Sequence, residues 1–123
     1  MPELWSVHAD PDACDLAIRA PGAGRVAPDE VFVLGPIADD LRRAIKKVDP
    51  GALIRQADDG WAHATVPRDV FARLSALELP PKGYLQGDVV GVPARLFVDE
   101  VVTILVPASL EAHLRRRVEE GTR

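Results

Sequence analysis

The sequence predicts an α+β protein in which helices cover one face of a mostly antiparallel sheet. Strand-forming runs rich in Val, Ile, Phe and Trp alternate with amphipathic segments. Each of the three predicted helices follows a strand directly and begins at a proline, in VLGPI, ATVPRD and ILVPAS. Proline cannot extend a central strand, and its fixed φ suits a helix N-terminus, so these prolines mark three strand-to-helix passages.

The first third of the chain predicts two strands behind a flexible, acidic lead-in at residues 1–12. ACDLAIRA at 13–20 predicts the first strand, because apolar residues alternate along it. PGAGR at 21–25 interrupts this strand. EVFVLG at 30–35 predicts the second strand, since it is rich in β-branched and aromatic residues.

The most regular helix signal lies in GPIADDLRRAIKKVDPG at 35–51. Pro36 suits the first turn, aspartates 39 and 40 lie near the positive end of the helix dipole, and lysines 46 and 47 lie near the negative end. The apolar residues have the spacing of one buried helix face: Ile37, Leu41, Ala44, Ile45 and Val48.

The middle third predicts a β-hairpin and a second helix. ALIRQAD at 52–58 and WAHATV at 61–66 are β-prone and flank an Asp-Gly pair that is typical of tight hairpin turns. The helix begins at Pro67 and ends at the Pro-Pro pair at 80–81, with its apolar residues on one face.

The last third repeats this plan. A strand pair is predicted from about Tyr84 to Val106, bending near residues 98–100, and a third helix begins at Pro107. The whole chain is therefore expected to be three ββα units in a single domain, residues 1–123, with a short tail at 121–123. A ferredoxin-like crossover is the natural way to join such units into a helix-on-sheet sandwich.

The composition limits the classes of partner. A net charge of −4 and a pI near 5.3 argue against a nucleic-acid binder, which needs a basic surface. Cys14 is the only cysteine, so no internal disulfide can form and a reducing compartment is expected. No apolar run approaches the roughly 18 residues of a membrane span, and the N-terminus does not resemble a signal peptide. Arginine is strongly preferred over lysine, a preference that a GC-rich genome explains. Together these features predict a cytoplasmic bacterial protein.

The Gly-rich stretch LPPKGYLQGDVVGVPARLF at 79–97 contains a lysine and therefore raises the question of a phosphate-binding loop. Such a loop has the order G-x-x-x-x-G-K-[ST] and connects a strand to a helix. Here the lysine precedes the glycines, and the stretch leads from a helix into a strand. We interpret it as a helix end and a turn, with Gly87 or Gly91 at a bulge and Pro93 near a sheet edge.

No catalytic residue and no metal ligand is assigned from the sequence. The three histidines and Cys14 lack a shared ligand spacing, and the aspartates at 10, 12 and 15 lack the glycine and glutamate of a calcium loop. The serines lack a nucleophile-elbow motif. Cys14 paired with a histidine elsewhere is left open, although a small buried thiol is the simpler interpretation.

Basic and aromatic side chains near predicted turns are the candidates for ligand binding. PGAGR at 21–25 has two glycines next to Arg19 and Arg25, an arrangement compatible with either an anion-binding nest or a plain loop. A pocket between the sheet and the loops near 21–25 and 82–88 would use Arg19, Arg25, Trp61 or Tyr84.

Four segments, taken in order, resemble the gamma subunit of heterotetrameric sarcosine oxidase, which belongs to the glycine-cleavage T-protein superfamily. These segments are APDEVFVLGPIADDLRRAI, IRQADDGWAHATV, DVFARLSALELP and GVPARLFVDEVVTILVPASLEAHLRRRVEE. They are similar to the family's PDEW-LL-GP, V-D-SDG, LDLP, VPV-LW and V-RS-A--L---L patterns at residues 28–36, 57–60, 70–80, 92–97 and 106–118. The chain departs from these patterns at Val31–Phe32 and Asp58, as a compact and divergent member would.

The resemblance implies a T-protein-like fold and a non-catalytic accessory subunit linked to one-carbon metabolism. In that family the flavin and folate sites lie in other subunits, so the resemblance implies that this chain binds no cofactor and that its partners are flavoprotein subunits. Two alternatives stay open. In the first, the chain is a stand-alone small-molecule-binding protein or a cofactor-independent biosynthetic enzyme on the same fold. In the second, it is an interaction module that self-associates.

Overall fold

The computed structural model describes residues 3–89 and 91–122, and the chain divides into two compact units. The N-terminal unit is Met1–Asp58 and the C-terminal unit is Asp59–Arg123. Each contains a four-stranded antiparallel sheet and two of the four α-helices that the described residues form. The α+β class is therefore confirmed, whereas the expectation of three helices on one sheet is wrong. None of the described helices is long and apolar enough to cross a membrane.

The N-terminal unit has the element order β-α-β-β-α-β. Its elements are β1 (Leu4–His8), α1 (Pro11–Ala17), β2 (Ala23–Ala27), β3 (Glu30–Leu34), α2 (Asp39–Val48) and β4 (Leu53–Gln56). The strand order is β2-β3-β1-β4, and every neighbouring pair is antiparallel. Helix α1 therefore joins two strands that are separated in the sheet by β3.

The core of the N-terminal unit lies between its sheet and its two helices. Alternate strand residues such as Val7, Val31 and Val33 face this core. Helix α1 contributes small side chains, so it packs closely, and α2 contributes Ile45, which is fully buried. The helical members of the cluster are Ala13, Cys14, Ala17 and Ile45.

A 3₁₀ turn at Asp58–Gly60 spans the boundary in sequence between the N-terminal and the C-terminal unit. The elements of the C-terminal unit are β5 (Trp61–Pro67), α3 (Arg68–Leu74), β6 (Gly83–Val89), β7 (Val92–Val98), β8 (Val101–Pro107), a 3₁₀ turn (Ala108–Leu110) and α4 (Glu111–Gly121). The strand order is β5-β8-β7-β6, all antiparallel. Helices α3 and α4 cover one face, where Phe71 and Leu114 pack on Leu96, Ile104 and Val106.

Two predicted assignments near the N-terminus are wrong. Residues 13–20 were predicted as a strand, but Pro11–Ala17 form helix α1. The reason is that Ala13, Cys14 and Ala17 are the buried residues, at the spacing of a helical stripe, and Pro11 stands in the first turn. The expected lead-in at residues 1–12 contains strand β1, which pairs with both β3 and β4 and buries Val7.

The hairpin predicted around Asp59-Gly60 does not form. Strand β4 pairs with β1 in the N-terminal unit, whereas β5 pairs with β8 in the C-terminal unit. One cause is Asp58, whose carboxylate accepts a hydrogen bond of 2.7 Å from the Leu4 backbone N–H, so this segment is tied to the start of β1. The three predicted ββα repeats are wrong for the same reason: pairing joins strands that are distant in sequence.

The strand pair predicted from Tyr84 to Val106 consists of three strands, with the predicted bend present between β7 and β8. Gly91 lies at the turn between β6 and β7 with φ +82°, and Gly87 pairs with Ala94 in an unbroken register, so neither marks a bulge. Pro93 lies in a part of β7 that pairs with edge strand β6 but not with β8, where its missing N–H removes no bond to β8.

Arg68, the first residue of α3, connects three carbonyl groups of the C-terminal unit. Its guanidinium donates to the carbonyls of Pro80 (3.1 Å), Asp99 (3.1 Å) and Pro81 (3.5 Å). We expect Arg68→Ala to lower the free energy of unfolding by about 2 kcal/mol, because hydrogen bonds from a charged donor contribute about 1.5–3 kcal/mol and this side chain is half-exposed. Urea unfolding measures the loss. Exposed Arg116→Ala is the matched control, and an equal loss in both variants would contradict the role of Arg68.

Candidate functional site

The candidate site lies on the face of the second sheet that is turned away from α3 and α4. Ala62, Leu96, Ile104 and Val106 belong to the core under the helices. Side chains alternate between faces along a strand, so the neighbouring residues Trp61, Arg95 and Pro107 lie on the opposite face. Strand pairing brings them together: Trp61 is opposite Pro107, and Arg95 is opposite both Leu105 and Gln86.

Arg95 and Trp61 form a cation–π pair. The Arg95 Cζ lies 5.2 Å from the centroid of the Trp61 ring. These residues are on β7 and β5, which flank β8 on either side, so the arginine side chain reaches across a strand to make this contact. Both residues are half-buried, a setting in which a cation–π pair contributes about 0.5–2 kcal/mol.

Tyr84 also contacts the Arg95 guanidinium. The Tyr84 Oη accepts hydrogen bonds from Gln86 Nε2 at 2.8 Å and from Arg95 Nη1 at 3.3 Å. The Tyr84 ring packs against Phe97 with centroids 5.0 Å apart and a tilt of 59°. Since Phe97 is buried, the phenol has a fixed position, and it orients the arginine in turn.

A depression of about 330 Å³ opens beside the Arg95–Trp61 pair. Its apolar lining residues include Trp61, Pro93, Ala94 and Pro107. Its polar lining residues are Arg95, Gln86 and Asp88. A mostly apolar cavity with a few convergent polar groups is the usual form of a small-ligand site.

The four residues predicted to bind a ligand are divided between the units. Trp61 lines the depression, and Tyr84 orients its arginine. In the N-terminal unit, Arg19 is exposed just after α1, and Arg25 donates to the Asp15 carboxylate and to the carbonyls of Pro11 (3.1 Å) and Pro28 (2.7 Å). These bonds brace the loops around α1. Ligand binding by the four residues stays a prediction.

Arg95, Gln86 and Asp88 were not found from the sequence, because the signal that reveals them is the strand register. The short turn between β6 and β7 places Gln86 directly opposite Arg95 and Asp88 opposite Pro93. Dividing residues 83–98 into two strands at Gly91 would have predicted this register. The contact with Trp61 requires the pairing of β5 with β8, which no local pattern indicates.

A second polar cluster lies on β1 and β3, where one carboxylate binds two neighbours. Glu30 Oε2 is 2.8 Å from His8 Nε2 and accepts a hydrogen bond of 3.1 Å from the buried Ser6 hydroxyl. A catalytic serine would bond to the histidine rather than to the carboxylate. Within residues 3–89 and 91–122, no group of three or more His, Cys, Asp or Glu side chains could hold a metal ion.

Cys14 is buried in α1 with its thiol 3.5 Å from the Ala9 carbonyl. Burial raises the pKa of this thiol above its ordinary value of 9.0, outweighing the Arg25 guanidinium, which lowers it. A reactive cysteine has a lowered pKa and an accessible thiolate, so Cys14 has the features of a packing residue.

The raised pKa of Cys14 predicts a loss of stability in alkali. The folded protein retains the thiol proton to a higher pH than the unfolded chain does, so the free energy of unfolding is unaffected by this group below the ordinary pKa of 9.0 and falls as the pH rises past it. Urea unfolding from about pH 8 to about pH 10 measures this decline. Cys14→Ala is expected to show a shallower decline, and identical slopes would contradict the prediction.

Comparison with solved structures shows what the fold is similar to. The chain superimposes on a chain of the heterotetrameric sarcosine oxidase from Corynebacterium sp. U-96, in its complex with pyrrole 2-carboxylate, with a TM-score of 0.69 and 12% sequence identity. The match covers 98% of this chain and 78% of the other. No protein-family model matches the sequence, and no curated protein matches it either. The two chains therefore share a fold.

Proposed function

We propose that this chain is a non-catalytic accessory subunit of a multi-subunit amine-oxidising flavoenzyme. The observation that carries the proposal is the shared fold over 98% of the chain with a component of a heterotetrameric oxidase. The ordered sequence segments that resemble the gamma subunit of such an oxidase support the same role. Under this proposal the chain is a divergent relative of the gamma-subunit family, in the cytoplasm of a bacterium, and takes part in one-carbon metabolism.

The topology supports a finer description of the fold. The N-terminal unit has the order β-α-β-β-α-β, with α1 crossing from β1 to β2 over the inserted β3. Ferredoxin-like folds have the same order of elements, with a split β-α-β unit, and this agreement supports the proposal. We propose that this unit is ferredoxin-like and that the whole chain has a T-protein-like arrangement.

Three charged side chains form hydrogen bonds or ion pairs within the chain, and these contacts support a scaffold role. Arg25 connects α1 with the turn at Pro28, Arg68 connects the start of α3 with the segment before β6 and the turn after β7, and Glu30 binds Ser6 and His8. Each of these groups stabilises backbone or a neighbouring strand. The proposal accordingly places the flavin, and any folate, in partner subunits and assigns no cofactor to this chain.

Co-purification from the native host tests the proposal. A tagged copy of the chain is expected to bring down a larger flavoprotein, recognised by its flavin absorption and identified by mass spectrometry. A tagged protein of similar size and charge is the control for non-specific capture. Recovery of the chain alone would overturn the proposal, and recovery as a homo-oligomer without other subunits would favour self-association.

A further inference from the structure

We propose that the depression beside Trp61 and Arg95 binds a small organic monocarboxylate with an apolar body. Arg95 would hold the carboxylate, and the Trp61 indole with Pro93 and Pro107 would contact the apolar part. This inference is independent of the accessory role, because it rests on the described residues of the C-terminal unit alone.

The first step in the argument is the preorganisation of Arg95. Its guanidinium lies over the Trp61 ring at 5.2 Å, and one nitrogen donates to Tyr84. A guanidinium presents its N–H donors in a planar fork that matches the two oxygens of a carboxylate. A side chain already held in place loses less entropy when a ligand binds.

The second step is the match of size and surface. A volume of about 330 Å³ lies at the lower end of the range of small-molecule pockets, about 300–1,000 Å³. Trp61, Pro93 and Pro107 present rigid apolar groups, which favour a flat or cyclic body over a flexible polar chain. Gln86 supplies an amide next to the guanidinium, since it faces Arg95 across the β6–β7 pair.

The third step concerns charge. Asp88 is two residues beyond Gln86 on the same face of β6, and it also lines the depression. Across the β6–β7 pair Asp88 is the diagonal neighbour of Arg95, and such neighbours lie about 7–8 Å apart. A second anionic group on a ligand held by Arg95 would therefore approach the Asp88 carboxylate. Repulsion between them would disfavour dicarboxylates, so the site is selective for monocarboxylates.

The two tryptophans of the chain allow a direct test. Each indole N–H gives its own signal in a proton–nitrogen correlation spectrum, and Trp5→Phe assigns the two. Titration with benzoate is expected to shift the Trp61 signal and leave the Trp5 signal in place. Benzamide has the same shape without the charge, and terephthalate adds a second carboxylate. Both are expected to bind at least about tenfold more weakly than benzoate.

Variants of Arg95 and Arg42, which each lie over a tryptophan ring, show whether benzoate binds at the depression or responds only to the loss of a positive charge. In the N-terminal unit, Arg42 lies over the Trp5 ring at 5.1 Å, a contact of the same kind as that between Arg95 and Trp61. Arg95→Gln is expected to weaken benzoate binding about ten- to a hundredfold, and Arg42→Gln is expected to leave it unchanged. The dispersion of each spectrum shows whether the variant is folded, and Arg95→Lys, which retains the charge, is expected to lose less affinity than Arg95→Gln.

Three results would overturn the proposal. The first is an unshifted Trp61 signal in a large excess of benzoate. The second is equal binding of benzamide or equal binding by folded Arg95→Gln, because the site would then not recognise a carboxylate. The third is displacement of benzoate by an acidic peptide that binds more tightly, since this would assign the depression to a carboxylate side chain of a partner protein.

Discussion

Phe71→Ala is expected to lower the free energy of unfolding by about 3–5 kcal/mol, the largest effect that a single core substitution in this chain should have. Phe71 is 1% exposed and packs in the cluster between α3, α4 and the second sheet. Its removal loses the transfer free energy of the ring and leaves a cavity that the neighbouring strands cannot close. A loss of this size is a large part of the total stability of an ordinary domain, about 5–15 kcal/mol.

Two matched variants test whether the loss of stability comes from the buried volume of the Phe71 ring. Phe71→Leu retains most of the volume and is expected to cost less than about 1.5 kcal/mol. Val101→Ala removes an apolar group that is 45% exposed and is expected to cost much less than Phe71→Ala. Urea or thermal unfolding measures all three, and a loss for Phe71→Ala no greater than that for Val101→Ala would contradict the predicted core.

Gly22→Ala is expected to destabilise the N-terminal unit by about 3 kcal/mol or more. Gly22 has φ +74°, and a Cβ atom built there would lie 2.6 Å from the backbone oxygen of Leu34. The Gly22 carbonyl also accepts a hydrogen bond of 3.0 Å from the Leu34 N–H, so the two segments cannot separate without losing that bond. Backbone strain of about 1–3 kcal/mol is therefore added to a clash that only movement of β3 could relieve.

Gly35→Ala is the matched control for Gly22→Ala. Gly35 also has a positive φ, +107°, but apart from its two chain neighbours no atom of the described residues lies within 4 Å of a Cβ placed there. This variant is expected to show the backbone strain alone, about 1–3 kcal/mol, and to remain more stable than Gly22→Ala. Equal unfolding free energies in the two variants would show that the contact with Leu34 has no energetic consequence.

Local chemistry in the sequence predicted several elements correctly. Helix α2 was predicted from its apolar stripe and its charged ends, and it spans Asp39–Val48. Its predicted start at Pro36 is wrong, because Ala38 is the N-cap, and Val48 is exposed rather than on the buried face. Helix α3 begins directly after Pro67 but ends at Leu74, before the Pro-Pro pair at 80–81 that was predicted to end it. The last helical segment begins directly after Pro107. The bend between β7 and β8 was also expected. These features depend on residues within one or two turns of each other, so a single sequence contains the information needed to predict them.

Strand pairing was predictable only where a short turn determines it. Gly91 at the turn could have indicated that β6 and β7 form a hairpin, with Gln86 opposite Arg95. In contrast, the Asp-Gly pair at 59–60 suggested a hairpin that does not exist, because β4 and β5 have partners elsewhere in the chain. A turn signal states only that the chain changes direction.

By itself the sequence determined the α+β class, the helical segments that follow Pro67 and Pro107, and the resemblance to a subunit of an oxidase whose fold this chain shares. Only the tertiary structure decided that β1 is a central strand, that the strands form two sheets, and that Arg95 reaches Trp61 across β8. The physical reason is that helices are stabilised by neighbours in sequence, whereas sheets are stabilised by residues far apart in the chain. The candidate site is built from all four strands of the second sheet, and it therefore exists only once the sheet has formed.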